Sequence, residues 1–164
     1  QLAKMSSGLV LLVDASQSAT NLTQQLGLTR ERGLRDLLFN TQSPPLLQDC
    51  VVNVSSLPFH VLPFGRHSRG NEHLTPEHLS PLLDQLVSQY RFVVIDGDAV
   101  YSDSDTLVIS TQADGVVMVV SCEDTRWEVA QAAAQRLSQA GAKLVGSVFN
   151  RRKYYMPKWL YKNL

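Results

Sequence analysis

The stretch FVVIDGDAV, residues 92–100, decides the fold class of this 164-residue chain. Its β-branched run Val93-Val94-Ile95 is typical of a strand buried on both faces, and two carboxylates follow where that strand ends. Three further short apolar runs have the same character: GLVLLVD (8–14), GVVMVVS (115–121) and KLVGSVFN (143–150). Because helical segments separate these runs, their order predicts an α/β fold with a mostly parallel sheet flanked by helices on both faces.

Local signals predict the remaining elements. Residues 58–65 predict another strand, which a glycine closes. The pairs Thr75-Pro76 and Ser80-Pro81 predict two successive helix starts, because each combines an N-cap residue with proline at the first helical position. The pattern T-x-x-E at 125–128 predicts a capping box, and Gly141 predicts the end of the helix that follows it.

Charge is unevenly distributed along the chain, although the formal total is zero. Residues 151–164 contain five Lys and Arg, several aromatic residues and no acid, so the rest of the chain is acidic overall. We therefore predict one α/β domain over 1–150 and a basic, tyrosine-rich tail over 151–164. The acidic body argues against nucleic-acid binding. No apolar run reaches the roughly 20 residues that span a bilayer, and the two distant cysteines favour a reducing compartment.

Polar residues follow the predicted strands at their carboxyl ends, where open parallel sheets bind ligands. Asp14 ends one strand, Asp96 ends another, and Asp98 comes two positions later. Mg²⁺ prefers oxygen ligands and is often held through water, so these acids predict a magnesium site. Acids in this position also shape turns and cap helices. Both interpretations stay open from the residues alone.

Four segments, taken in order, resemble the bacterial polysaccharide-associated tyrosine kinases (BY-kinases), relatives of MinD and ParA within the P-loop NTPases. VLLVDASQSATNLTQQLGL with RGLRDLL (10–38) is similar to the segment after the P-loop. FVVIDGDAVYSDSDTLVISTQADGVVMVV (92–120) is similar to the Walker B strand and the elements after it. EDTRWEVAQAAAQRLSQAGAKLVGSVFNR (123–151) resembles the closing helix and strand, and KYYMPKWLY (153–161) resembles the C-terminal tyrosine cluster.

The resemblance implies ATP and Mg²⁺ as cofactors and assigns roles to particular residues. Asp14 and Asp96 correspond to the catalytic acids and would hold Mg²⁺, directly or through water. Asp98 has no counterpart in the family pattern; it would either join them as a third metal-binding acid or repel the phosphates. Asn150 and Arg151 lie where the family binds the nucleotide base. The implied phosphoacceptors are Tyr154, Tyr155 and Tyr161.

The chain also departs from the family pattern. The family's second motif reads Asp-x-Asp, but D-A-S stands at 14–16, and the Walker B acid continues as G-D-A at 97–99 instead of Thr-Pro-Pro. The P-loop G-x-x-x-x-G-K-[ST], whose amides and lysine hold the phosphates, does not occur. We therefore expect a domain that lacks the first strand and the P-loop. It would be an ATP-dependent protein-tyrosine (auto)kinase if active, and a pseudo-enzyme otherwise.

The implied function is that of a tyrosine-kinase-like, degenerate and regulatory component of exopolysaccharide or capsule biosynthesis and export. Its partner would be a membrane polysaccharide co-polymerase (chain-length regulator), a catalytic homologue or a second copy of the chain. The location would be cytoplasmic, at the inner face of the cell membrane. A MinD/ParA-type ATPase of cellular positioning, or of cellulose or flagellar assembly, is the alternative. The tail would accept phosphate, bind an anionic membrane surface, or be an ordinary terminus.

Overall fold

A computed structural model describes residues 2–5, 9–66 and 72–152 of the chain. The elements, in chain order, are α1 (Leu2–Met5), β1 (Val10–Asp14), α2 (Leu22–Gln25), α3 (Leu34–Phe39), a 3-10 turn (Leu47–Asp49), β2 (Val52–Asn53), β3 (His60–Leu62), α4 (Pro76–Gln89), β4 (Phe92–Asp96), α5 (Ser104–Gln112), β5 (Val116–Ser121), α6 (Trp127–Gln139) and β6 (Leu144–Asn150). The predicted α/β class with mostly parallel strands is confirmed.

The first of two compact units runs to Ile109 and contains a four-stranded sheet in the order β2-β3-β1-β4. β1 pairs in parallel with both β3 and β4, whereas β2 pairs antiparallel with β3. The strand β2 has only two residues and shows no strand pattern in the sequence. Its extended conformation depends on its pairing with β3. β1 is thus an interior strand of this sheet, as its continuous apolar run predicts.

The second unit begins at Ser110 and contains β5, α6 and β6. β5 and β6 pair in parallel, with an irregularity in register after Val116. The helix α6 is the crossover connection between these two parallel strands. Its residues Ala133 and Leu137 are buried, so one face of the helix is apolar and packed. The predicted domain boundary at residue 150 stays a prediction.

The core of the first unit forms around β1. Leu11 and Val13 are fully buried and pack with Leu34 of α3 and with Leu82 and Leu86 of α4. These two helices therefore cover one face of the sheet, as the apolar spacing in each segment requires. The remaining buried members of this cluster are Leu47, Cys50, Leu62 and Tyr90.

Both cysteines are free thiols. Burial, with a further contribution from the negative charge of Asp36, raises the pKa of the Cys50 thiol to about 11. Cys50 is therefore a hydrophobic core residue with very little reactive thiolate at neutral pH. Cys122 is half-buried.

The predicted helix start at 75–76 is confirmed, because α4 begins at Pro76 with Thr75 as its N-cap residue. The second start predicted at 80–81 is wrong, because the same helix continues through that site and has Pro81 inside it. Pro81 is exposed, whereas Leu79 before it and Leu82 after it are buried on the same apolar stripe. The burial of that stripe outweighs the loss of one backbone hydrogen bond at the proline.

The capping box predicted at 125–128 is also wrong. α6 begins at Trp127 with Arg126 as its N-cap residue, and no side chain caps it. Thr125 instead donates its backbone N–H to Ser121 O at 3.1 Å, which closes a turn before the helix starts. The predicted end of the helix is confirmed, because Gly141 has a φ of 89° and follows the last helical turn.

Candidate functional site at the strand ends

The acids at the ends of β1 and β4 lie side by side. Asp14 and Asp96 are partners in the parallel register of these two strands. The ladder continues one residue further, since the Ala15 N–H donates to Asp96 O at 2.8 Å. Asp98 follows just beyond the end of β4 and reaches the loop after β1. The three acids that the sequence singled out therefore gather at one edge of the sheet.

Asp14 is fully buried, and its carboxylate accepts hydrogen bonds from the protein on both oxygens. The Ser16 N–H donates to Oδ1 at 3.1 Å. The Thr23 N–H and hydroxyl donate to Oδ2 at 2.6 and 2.5 Å. The same hydroxyl accepts the Phe64 N–H at 2.8 Å. Asp14 and Thr23 thus join β1, α2 and the segment after β3, a turn-shaping role of the kind that the residues left open.

Replacing Thr23 with valine is expected to lower the free energy of unfolding by about 2–3 kcal/mol, because a buried carboxylate and the Phe64 amide each lose a partner. Urea denaturation followed by circular dichroism measures this loss. Thr23→Ser is the matched control, since it keeps the hydroxyl and is expected to stay close to the wild type. A valine variant as stable as the serine variant would contradict the role assigned to the hydroxyl.

Asp98 also accepts hydrogen bonds on both oxygens, in this case from the loop after β1. The Ser16 hydroxyl donates to Oδ1 at 2.6 Å. The Gln17 N–H donates to Oδ2 at 2.7 Å. Both distances are typical of hydrogen bonds to an ionised carboxylate. Asp98 therefore joins the loop after β1 to the segment after β4.

Asp96 differs from its two neighbours because its side chain is exposed and, within the described residues, receives no hydrogen bond. Partial desolvation, followed by the negative charges of Asp14 and Asp98, raises the pKa of its carboxyl group. A carboxylate with free oxygens beside two other acids attracts a cation or a proton electrostatically. Of the three acids, Asp96 is the one with oxygens free for a ligand.

A second polar cluster beside these acids was not predicted from the sequence. The Gln17 side-chain amide donates to Asp103, and Asp103 accepts the Asp105 N–H at 3.1 Å at the start of α5. Arg35, although buried, lies 3.9 Å from Asp105 and 3.6 Å from Glu72. Arg35 follows Leu34 in an amphipathic segment and looks like a solvent-facing residue. Only the folded chain reveals its burial beside acids.

Asn150 and Arg151 lie at the end of β6 in the second unit. Asn150 pairs in register with Ser121, and its side chain accepts the Arg151 N–H at 2.8 Å. Arg151 has a positive φ of 56° and is exposed. Their contact with a nucleotide base stays a prediction. The implied phosphoacceptors lie outside the described residues: Tyr154, Tyr155 and Tyr161.

Across residues 2–5, 9–66 and 72–152, no group of three or more His, Cys, Asp or Glu side chains is arranged to hold a metal ion. Asp14 and Asp98 direct their oxygens to protein donors, which is consistent with that finding. The Mg²⁺ role of Asp14, Asp96 and Asp98 stays a prediction. None of the helices in these ranges is both long and apolar enough to cross a membrane.

Several bacterial tyrosine kinases are similar in sequence to this chain. It is 31% identical over 141 residues to the putative tyrosine-protein kinase EpsB of Ralstonia nicotianae, in a match that covers 86% of this chain and 18% of the relative. It is 26% identical over 145 residues to the tyrosine-protein kinase YwqD of Bacillus subtilis, covering 88% and 60%. The chain thus spans less than two thirds of either relative. No protein-family profile matches it.

Solved structures show the same relationship. The VpsO kinase domain superposes with a TM-score of 0.77 at 27% identity, covering 93% of this chain and 73% of that one. The chimerical protein CapA2B2 superposes with a TM-score of 0.78 at 27% identity, covering 90% and 65%. MinD of Aquifex aeolicus, at 20% identity, shares the fold with a TM-score of 0.71 and covers 99% and 62%.

The fold is that of the MinD/ParA-like P-loop NTPases, and two strand-end acids are paired within it. The chain is a homologue of the bacterial tyrosine kinases, or BY-kinases, so the family resemblance of the sequence is confirmed.

Proposed function

We propose that this chain is a tyrosine-kinase-like component of exopolysaccharide or capsule production that works by binding partners and not by phosphoryl transfer of its own. The observation that supports this is the state of the three strand-end acids. Asp14 and Asp98 have both oxygens engaged by protein donors, whereas Asp96 receives no hydrogen bond from the residues that the structure describes. Phosphoryl transfer depends on Mg²⁺ and phosphate held in fixed positions by several such groups.

The residues fit a Mg²⁺–nucleotide complex only in part. Asp96 would hold Mg²⁺ through water, while Asp14 and Asp98 keep their protein partners. When bound, MgATP would supply the γ-phosphoryl group and neutralise its charge. These 164 residues contain no Gly-Lys-Ser or Gly-Lys-Thr to cradle the phosphates. We therefore expect weak MgATP binding that depends on Asp96.

The proposed partner is a membrane polysaccharide co-polymerase or a catalytic homologue of this chain, and the chain would also associate with a second copy of itself. The kinase relatives, and their similarity over most of this chain, support that choice. The five cations of the tail, together with its aromatic residues, would hold the domain against anionic lipid at the inner face of the cell membrane.

Calorimetric titration with MgATP and a phosphotyrosine assay test this function together. The chain alone is expected to show no micromolar MgATP binding and no phosphotyrosine. When it is mixed with an active BY-kinase domain and MgATP, phosphate is expected on the tail tyrosines, as read by mass spectrometry. The matched control carries phenylalanine at positions 154, 155 and 161.

Two outcomes would contradict the proposal in different ways. Micromolar, Mg²⁺-dependent binding with autophosphorylation would mean an active kinase. ATP turnover without phosphotyrosine would support the alternative, a MinD/ParA-type ATPase. Both outcomes leave the fold and the family relationship intact, since neither depends on activity.

A further inference from the structure

Two departures from the family pattern meet in the folded chain. Ser16 stands where the family has its second acid, and Asp98 stands where the family has a proline. The Ser16 hydroxyl donates to Asp98 Oδ1 at 2.6 Å, although 82 positions separate the two residues. An aspartate at position 16 would face Asp98 with a second negative charge and no proton to donate. The two residues are therefore chemically complementary, because the hydroxyl of Ser16 supplies the donor that the Asp98 carboxylate accepts.

The loop that contains Ser16 is held from two sides. The Gln17 N–H donates to Asp98 Oδ2 at 2.7 Å, and the Gln17 side-chain amide donates to Asp103. Within the loop, the Ser18 N–H donates to the Ser16 hydroxyl at 3.2 Å. Residues 16–18 are thus fixed between the segment after β4 and the start of α5.

The contacts of Asp98 separate its role from that of Asp96. Asp98 is half-buried and both of its oxygens accept hydrogen bonds from the loop. A ligand would have to displace two short, charge-assisted hydrogen bonds to reach it. Asp96, in contrast, has nothing to displace within the described residues.

We propose that Asp98 is a positioning residue, which holds residues 16–18 against the end of β4 and leaves Asp96 as the strand-end acid available to Mg²⁺. The availability of Asp96 to Mg²⁺ rests on the proposed function. The contact between Asp98 and the loop does not, and it can be tested without any nucleotide.

Hydrogen exchange of backbone amides, measured by NMR on the full chain without ligand, tests the contact. In Asp98→Asn the Gln17 amide is expected to exchange about tenfold faster, because its charged acceptor is lost. The Leu12 amide, inside the β1 ladder, is expected to keep its rate and so to report an intact sheet. Asp84→Asn, which changes an exposed acid on α4, is the matched control and is expected to leave Gln17 unchanged.

Comparison with Ser16→Ala distinguishes positioning from direct ligation. If Asp98 acts through the loop, Ser16→Ala and Asp98→Asn weaken Mg²⁺-dependent binding of MgATP by similar factors, and the double variant is no weaker than either. If Asp98 is itself a ligand, Asp98→Asn weakens binding as much as Asp96→Asn does, and Ser16→Ala leaves it unchanged.

Unchanged Gln17 exchange in Asp98→Asn would overturn the inference, as would the pattern of effects expected for direct ligation. A further outcome is faster Gln17 exchange in Asp98→Asn together with no MgATP binding by the wild type. That result would support the contact between Asp98 and the loop, but it would contradict the weak MgATP binding expected under the proposed function. The exchange and binding measurements thus separate failure of the positioning role from failure of the proposed function.

Discussion

Asp96→Asn is expected to abolish the Mg²⁺-dependent part of MgATP binding and, in the same variant, to raise the melting temperature at neutral pH. The first effect follows because Asp96 is the strand-end acid whose oxygens are free. The second follows because its charge lies beside Asp14 and Asp98 and is partly desolvated. Asp96→Asn should therefore remove a ligand contact and also relieve the repulsion between the acids. Gains in stability at the expense of function are common when residues of a binding site are replaced.

The pH dependence gives the sign of the stability effect. The pKa of Asp96 is raised in the folded chain, so the folded state holds this proton more tightly than the unfolded chain does. The contribution of the protonated Asp96 side chain to stability is complete below the unfolded pKa of about 3.9, and it is lost as the pH rises through the folded pKa. At pH 7 the ionised group destabilises the fold, and its removal is expected to raise Tm by a small amount, because solvent screens the charge of an exposed side chain.

Differential scanning calorimetry at pH 7 and near pH 4, with titration of MgATP in the presence and absence of EDTA, measures both effects. The gain in Tm is expected to shrink at the lower pH, because the raised pKa of Asp96 means that more of the wild type carries this proton there. Asp84→Asn is again the control for loss of an exposed acid. A variant that binds MgATP like the wild type, or that melts at a lower temperature at pH 7, would contradict this account of Asp96.

Gly33→Ala is expected to cost about 3 kcal/mol or more, because overpacking against backbone cannot relax by side-chain movement. A Cβ at this position would lie 2.0 Å from Pro63 O and 2.6 Å from the Gly65 nitrogen. The φ of Gly33 is −161°, which any residue adopts, so the conflict is steric and not conformational. The contact is close because α3 begins against the segment after β3, where the Leu34 N–H donates to Pro63 O at 2.8 Å.

Thermal unfolding and soluble yield measure this loss, which is a large part of the stability of an ordinary domain. Gly146→Ala is the matched control, because a Cβ there meets nothing within 4 Å. The control is expected to unfold close to the wild type. A Gly33→Ala variant with unchanged Tm would mean that the backbone beside Pro63 can move apart without cost.

The fold was largely predictable from local pattern. Continuous apolar runs predict that β1, β4 and β5 are strands, because a buried strand needs no polar alternation. Of these three, only β1 is interior in the described sheets, since β4 lies at the edge of its sheet and β5 pairs with β6 alone. Gly141 ends α6 because glycine accepts a positive φ without strain. The errors fell where tertiary burial outweighed a local signal. Pro81 lies inside α4 because the apolar stripe continues past it.

The three strand-end acids of the site were predictable from the sequence, but their hydrogen-bond partners were not. Strand ends and spacing were enough to select Asp14, Asp96 and Asp98 as acids that gather at one edge of the sheet. They could not show that Asp14 accepts from Thr23 or that Asp98 accepts from Ser16. Hydrogen-bond partners many positions apart depend on how the loops pack, and no spacing rule connects positions 16 and 98.

The sequence by itself determined the α/β class and the parallel pairing of its main strands, because these follow from apolar periodicity and the order of segments along the chain. The relationship to bacterial tyrosine kinases was also visible in the sequence, but through the resemblance of particular segments to that family. The tertiary structure decided which of the three acids has free oxygens. Asp14 and Asp98 accept hydrogen bonds from residues brought to them by folding, while Asp96 is exposed, beside two like charges, with no donor among the described residues. Equivalent carboxylates in the sequence become inequivalent in the fold because each meets a different set of donors.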